Sequence, residues 1–322
     1  MIALFRNYPK TLSSIARSFL RISIALLMGF SSNVFAVQFN QFIAFGDSTI
    51  DTGYFRYNKT PIQGVVLAAV AKGASGGFVG SGEMNTTLLA KKLGLSAAPI
   101  GGGGFNYANG GALTFYPSVY HPPGTSVEAQ NIPTVTQIEN YLRSVQGIAN
   151  PKALYLISTG SNDLTHKVDL HNSANELAKS LVKLQASGAR FILVAGNYNY
   201  SVLAGLGGIV PNSKMTFLQE SLDYEQLIWS KLRVAGVKFI VVDENTLFKG
   251  VVQNPVKYGF TPDSVLSKSA PCANINSALL CTTMTPAQMQ QYLFIDGVHM
   301  TTAGQAITAD YEYSLLSAMD IQ

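Results

Sequence analysis

Residues 41–48 read QFIAFGDS, an apolar run that stops at a glycine, an acid and a serine. Similar apolar runs follow at 153–158, 190–196 and 237–243, and segments with helical spacing lie around them at 84–93, 133–147, 172–187 and 213–235. Strands that are apolar on both faces are typical of parallel sheets covered by helices. The pattern therefore predicts an α/β fold, a three-layer α/β/α sandwich with a mostly parallel sheet.

In such a sheet, functional sites collect where the carboxyl ends of the strands meet the loops. Ser48 directly follows the first run, and Asn162 lies in STGSND (158–163), which closes the second run in the same way. A helix that began near Ser48 would point its backbone N–H groups at a reacting atom. Taken alone, Gly-Asp-Ser also fits a helix cap and STGSND also fits a turn.

The segment IDGVHMT (295–301) places Asp296 three residues before His299. A serine hydroxyl needs a base to take its proton, and histidine titrates in the useful range. A carboxylate can hold the imidazole in the correct tautomer. A helix start at Thr301 or Thr302 would follow. The alternative for this stretch is a surface turn with incidental charges.

The segment FNYANGGA (105–112) contains paired glycines, which allow backbone N–H groups to approach a ligand closely. Together with the other stretches it completes a set of parts for acyl transfer. That reaction needs a nucleophile, a base with its orienting acid, and donors for a developing negative oxygen. The combination predicts an ester-cleaving site.

The first 36 residues are predicted to be a secretory signal peptide, which leaves a single domain at 37–322. They hold four basic residues and no acid, an apolar run at 22–30, and Val-Phe-Ala before the predicted cleavage site. The alternative is a membrane anchor, but the run has about half of the ~20 residues that a span needs. The protein is therefore expected to be secreted, either periplasmic or extracellular.

Charge argues against nucleic acid as a partner. The chain carries 22 Lys+Arg and 18 Asp+Glu, and the predicted signal holds four of the basic residues, so the remainder has 18 of each. Only 12% of residues are charged, which suits a protein that meets apolar material.

Cys272 and Cys281 are the two cysteines, and export predicts a disulfide between them, the alternative being two reduced thiols. No metal site is predicted. His166, Asp169 and His171 would fit one helix face poorly as ligands.

Ser75 is a competing nucleophile, because GASGG (73–77) matches the G-x-S-x-G elbow of α/β-hydrolases and follows the apolar run VVLAAVA. An elbow must lead into a helix, however, and the glycine-rich FVGSG follows here. The sequence therefore favours Ser48.

The order of GDS, N-x-A-x-G-G, GxND and DxxHxT resembles the GDSL family of SGNH hydrolases, over about residues 42–313. The resemblance extends to bacterial secreted lysophospholipase A and glycerophospholipid–cholesterol acyltransferase-like lipases. It implies a flavodoxin-like sandwich, with Ser48 as nucleophile, His299 as general base and acid, and Asp296 as its orienting group. The implied oxyanion donors are the backbone N–H of Ser48, the Asn162 side chain, and the backbone N–H of Gly111, with Gly110 as the alternative.

The resemblance implies no cofactor and a lipid or lysophospholipid substrate, with transient contact to a membrane surface. Alternatives are transfer of the acyl group to a sterol or another alcohol, a carbohydrate acetylesterase, and a non-catalytic binding protein. The sequence departs from the family pattern at Thr49, at Met300, and at Phe78 and Val79, which replace a common Arg-Phe pair. The oligomeric state is not predicted.

Overall fold

The four predicted apolar runs form the central sheet. The computed structural model describes residues 38–196, 214–266, 269–272 and 277–319. Its strands are β1 (Gln41–Gly46), β2 (Ser118–Tyr120), β3 (Ala129–Asn131), β4 (Ala153–Ser158), β5 (Phe191–Ala195) and β6 (Ile240–Val242). The central sheet has the order β1-β4-β5-β6 and every pair in it is parallel, whereas β2 and β3 form a separate antiparallel hairpin.

The central strands bury alternate side chains in two different cores. In β4, Tyr155 and Ile157 enter one core, while Leu154 and Leu156 enter the core on the opposite face. Successive side chains of a strand point to opposite faces, so both faces must be covered by helices. This explains why β4 is apolar at nearly every position.

Helices cover both faces. They are α1 (Tyr54–Tyr57), α2 (Gln63–Val70), α3 (Asn85–Lys92), α4 (Thr134–Ser144), α5 (Ser161–His166), α6 (Leu170–Ala186), α7 (Lys214–Val234), α8 (Glu244–Gln253), α9 (Pro286–Gln291) and α10 (Thr302–Ala318). Buried residues of α4, α6 and α7 pack on one face, and those of α3 and α10 pack on the other. The predicted three-layer α/β/α architecture is confirmed.

A short extended segment at Asn106 adjoins the free edge of β1. Asn106 forms a parallel bridge with Ala44, and the backbone N–H of Tyr107 donates to the carbonyl oxygen of Ala44 at 2.8 Å. This contact brings the glycine-rich segment 105–112 to the same sheet edge as Ser48.

Contacts group residues Val37–Gln322 into one compact unit. The predicted signal peptide at 1–36 lies outside the described residues. In the part of the chain that is described, none of the helices is both long enough and apolar enough to span a bilayer.

Candidate active site

Ser48 lies where β1 ends, in a turn rather than at a helix start. The expected helix near Ser48 is not found; the next helix, α1, begins at Tyr54. The Asp47 side chain instead accepts hydrogen bonds from the backbone N–H and the hydroxyl of Thr49, at 3.0 and 2.8 Å, which closes the turn. Gly46 is required there because a Cβ would lie 1.9 Å from the carbonyl oxygen of Ser158.

A continuous chain of hydrogen bonds joins Ser48, His299 and Asp296. The Nε2 atom of His299 lies 2.8 Å from Ser48 Oγ, and its Nδ1 atom lies 2.8 Å from Asp296 Oδ2. Because a carboxylate only accepts, Nδ1 carries the proton and Nε2 is left to accept the proton of the serine. The three residues are therefore arranged as a nucleophile, a base and its orienting acid.

Asp296 is fully buried, and its carboxylate is satisfied by four donors. Oδ1 accepts from the backbone N–H groups of Val298 and His299 at 2.8 and 2.6 Å. Oδ2 accepts from the backbone N–H of Ala278 at 2.6 Å in addition to the His299 ring. These bonds fix the carboxylate, and through it the imidazole. Thr301 caps α10, which begins at Thr302 as predicted.

The electrostatics of the pair favour a charged imidazole. Burial alone would raise the pKa of Asp296, but the charge of His299 and the hydrogen bonds from the loop outweigh it and lower that pKa. Burial likewise opposes a charged His299, and the Asp296 carboxylate overcomes this and raises the pKa of His299 above its ordinary value. The site is thus suited to hold a protonated imidazole ring beside Ser48.

Ser48 and Gly111 line the same pocket, and their backbone N–H groups have no hydrogen-bond acceptor among the described residues. The N–H of Gly110, in contrast, donates to Asp51 Oδ2 at 2.9 Å. Gly111 has a φ of +81°, a conformation that favours glycine. Of the two glycines considered from the sequence, Gly111 therefore has the available donor.

Asn162, the second residue of α5, lines the same pocket. Its Nδ2 atom donates to the carbonyl oxygen of Ala112 at 3.0 Å, which uses one of its two N–H bonds. The side chain is thereby held next to the Gly111 loop. Ser48, Gly111, Asn162 and His299 all line one open pocket of about 240 Å³.

Sequence reasoning did not single out several pocket residues. Tyr120 and Val119 come from the hairpin, and Ser277 comes from the segment between the cysteines. Phe78, noted only as a departure from the family pattern, packs on the His299 ring with a centroid distance of 5.1 Å. The short hairpin strands gave no recognisable alternation, so nothing in the sequence indicated this wall of the pocket.

The predicted disulfide between Cys272 and Cys281 is present. The competing nucleophile Ser75 lies instead in a turn, where its Oγ accepts from the backbone N–H of Gly77. The apolar run before it is the helix α2. Among the described residues, no group of His, Cys, Asp and Glu side chains has the arrangement of a metal site.

Residues 42–312 match the family described as GDSL-like Lipase/Acylhydrolase. The chain belongs to this family. It is 30% identical over 333 residues to a Pseudomonas putida protein described as an uncharacterized protein in the trpE-trpG intergenic region, with 93% of this chain and 52% of that protein covered. It is 29% identical over 313 residues to esterase EstA of Pseudomonas aeruginosa, with 87% and 47% covered. The chain thus spans about half the length of these relatives.

Two solved structures also align with the chain. One is a lipolytic G-D-S-L family protein of Veillonella parvula, with 13% identity, a TM-score of 0.42, and coverage of 86% of this chain and 98% of that one. The other is the acetyl xylan esterase AlAXEase, with 13% identity, a TM-score of 0.42, and coverage of 85% and 98%. The chain therefore belongs to a family of GDSL esterase/lipase-type hydrolases.

Proposed function

We propose that the protein is a serine esterase that cleaves acyl esters of lipids through an acyl-enzyme on Ser48. The observation that carries this proposal is the chain from Asp296 through His299 to Ser48 Oγ, with both links at 2.8 Å. It ends in an open pocket that is also lined by Gly111, and the backbone N–H groups of Ser48 and Gly111 have no acceptor among the residues that the structure describes.

The reaction follows from these positions. Ser48 Oγ attacks the acyl carbonyl carbon while His299 Nε2 takes the serine proton. The negative oxygen that forms accepts from the N–H groups of Ser48, Gly111 and Asn162. The carbon–oxygen bond to the alcohol then breaks, and the alcohol leaves with the proton from His299. Water then attacks the carbonyl carbon of the acyl-enzyme while His299 takes its proton. The bond to Ser48 Oγ breaks, Ser48 regains a proton from His299, and the carboxylic acid is released.

Apolar side chains in the pocket support a lipid acyl group. Phe78, Val119, Tyr120 and Val298 all line it. A fatty acyl chain would remove the exposed surface of Val119, Tyr120 and Val298 from water, at about 25 cal/mol per Å². Within this class the resemblance favours a lysophospholipase or lipase that is exported and meets its substrate at a membrane surface.

Labelling with a fluorophosphonate probe, followed by a substrate panel, tests the proposal. We expect one adduct on Ser48, none in Ser48→Ala, and an unchanged adduct in Ser75→Ala. The panel compares lysophospholipids, diacyl lipids and acetylated sugars. A wild-type protein that forms no adduct and cleaves none of these esters would overturn the proposal and favour a binding protein.

A second candidate is a carbohydrate acetylesterase. Two features favour it: the pocket volume of about 240 Å³ lies below the ~300–1,000 Å³ of most ligand pockets, and half of the lining residues are polar. A preference for acetate over octanoate esters would support this candidate and exclude the lipase. Transfer of a labelled acyl group from lysolipid to cholesterol would instead indicate the acyltransferase alternative.

A further inference from the structure

The pocket contains two histidines that the proposed mechanism does not use. His121 follows directly after β2 on the hairpin, and His166 is the last residue of α5. Both line the same pocket as Ser48 and His299, and both are exposed to solvent. Two separate elements therefore bring imidazole rings to the rim of one site.

Hydrogen bonds fix the tautomer of each neutral ring. The Nδ1 atom of His166 lies 3.0 Å from the carbonyl oxygen of Asn162, which can only accept, so Nδ1 carries the proton. The Nε2 atom of His121 lies 2.6 Å from Glu128 Oε2, so there Nε2 carries the proton. Each neutral ring is left with one nitrogen that accepts: Nε2 in His166 and Nδ1 in His121.

We propose that His121 and His166 form a subsite that binds hydroxyl groups on the alcohol part of the ester, as in glycerol or sugar esters. This inference rests on the proposed function. A hydroxyl can donate to the free nitrogen of each ring, and Ser277 adds a further hydroxyl to the lining. A saturated acyl chain offers no donor, so the polar rim suits the alcohol part alone.

The charge at the rim favours hydroxyls over a phosphate group. The Glu128 carboxylate is half exposed beside His121 and carries a negative charge at the rim of the pocket. An anion at this position would also approach the carboxylate. A neutral polyol makes the same hydrogen bonds without that repulsion.

Two esters with the same acyl group test the subsite. Glycerol monobutyrate carries two free hydroxyls on its alcohol part, and ethyl butyrate carries none. For wild type, His121→Phe and His166→Phe, kcat/KM is measured on both esters, and the ratio of the glycerol ester to the ethyl ester is compared. A neutral hydrogen bond predicts that each substitution lowers this ratio by about 2- to 12-fold.

Matched variants separate hydrogen bonding from shape. His166→Gln places an amide near the free Nε2, and His121→Asn places one near the free Nδ1, so both should retain more of the ratio than phenylalanine does. His171→Phe changes a histidine outside this pocket and should leave the ratio at the wild-type value. Glucose monobutyrate distinguishes a sugar from glycerol as the source of the hydroxyls.

The outcomes are distinct. An active enzyme whose ratio in both phenylalanine variants equals the wild-type ratio overturns the subsite and leaves the esterase intact. A phosphorylated glycerol monobutyrate is measured as a further substrate. If the phenylalanine substitutions lower kcat/KM for it and leave the ratio of the glycerol ester to the ethyl ester unchanged, hydroxyl binding is overturned in favour of an anion site. A wild-type protein that cleaves no ester and takes no probe on Ser48 overturns the proposed function itself.

Discussion

Replacing Asp296 with asparagine tests the role of the buried carboxylate in orienting His299. One oxygen becomes an NH₂ group, and the amide can lie in two ways. In one orientation the NH₂ group takes the place of Oδ2 and meets the Ala278 N–H and the Nδ1 atom of His299, both of which donate to Oδ2 in the wild type. With NH₂ at the Oδ1 position, it faces the backbone N–H groups of Val298 and His299.

The structure decides which orientation is populated. In the first, the His299 ring can move its proton to Nε2, so that only the Ala278 N–H loses its partner. In the second, two backbone N–H groups lose theirs. Each buried donor without a partner costs about 1–3 kcal/mol, so the first arrangement is favoured by about that amount. It places the proton on Nε2, where His299 cannot accept from Ser48.

We therefore expect Asp296→Asn to lower kcat by about 10⁴-fold, or about 5 kcal/mol of activation free energy. The free energy of unfolding should fall by only about 1–3 kcal/mol.

The assay is hydrolysis of p-nitrophenyl butyrate between pH 5 and 9, with urea unfolding of the same samples. The Asp296 carboxylate raises the pKa of His299, and a base must be unprotonated to act. Activity of the wild type should therefore rise with pH through that raised pKa. In the variant, the residual activity should rise at a lower pH, because the carboxylate charge is gone.

Asp169→Asn, at the exposed N-cap of α6, is the matched control. If Asp296→Asn keeps activity within tenfold of wild type, and its activity rises over the same pH range as that of the wild type, this account of the carboxylate is refuted.

Three further outcomes are expected. Asn162→Ala should lower kcat on a short ester by about 100- to 1,000-fold, as measured by initial rates, because one oxyanion donor is lost. Reduction of the Cys272–Cys281 disulfide with a phosphine should lower activity about tenfold to a hundredfold by releasing the segment that carries the Ala278 donor, and a Cys272→Ser/Cys281→Ser variant should not respond. Glu312→Gln should raise the free energy of unfolding by about 5 kcal/mol at pH 9 in urea titrations, and by little at pH 5. Burial raises the pKa of Glu312 to about 8, so the stability that the wild type has at low pH is lost as pH rises from about 4.5 to 8.

The sheet could be predicted because each central strand is apolar on both faces. The run at 153–158 coincides with β4 at both ends, and the predicted helix at 172–187 lies within two residues of α6. The proximity of Ser48, His299 and Asp296 could also be predicted, because Asp296 and His299 are three residues apart and Ser48 closely follows the end of a strand. Strong local periodicity and short spacing carry this information in the sequence itself. The catalytic roles of these residues stay predictions.

The hydrogen bonds that hold the site residues in place could not be predicted from the sequence in the same way. Asp51 accepts from the backbone N–H groups of Gly53, Tyr54 and Gly110, the last of these 59 positions away. The Ala278 N–H reaches Asp296 from a different segment. Backbone donors have no residue-type signature, so only the folded chain shows which carboxylate they meet.

The buried carboxylates near Ser48 affect both the position of the site's backbone N–H groups and the stability of the fold. Asp51 holds the N–H of Gly110, and so sets the loop that presents Gly111. Burial raises the pKa of Asp47 and of Asp51 to about 6, which shows that each charged carboxylate costs free energy in the folded state despite its hydrogen bonds. Both carboxylates lie at the carboxyl edge of the sheet, where they hold loops rather than strands in place. The proposed oxyanion donor at Gly111 is thus positioned with the help of a charged group that weakens the fold as the pH rises.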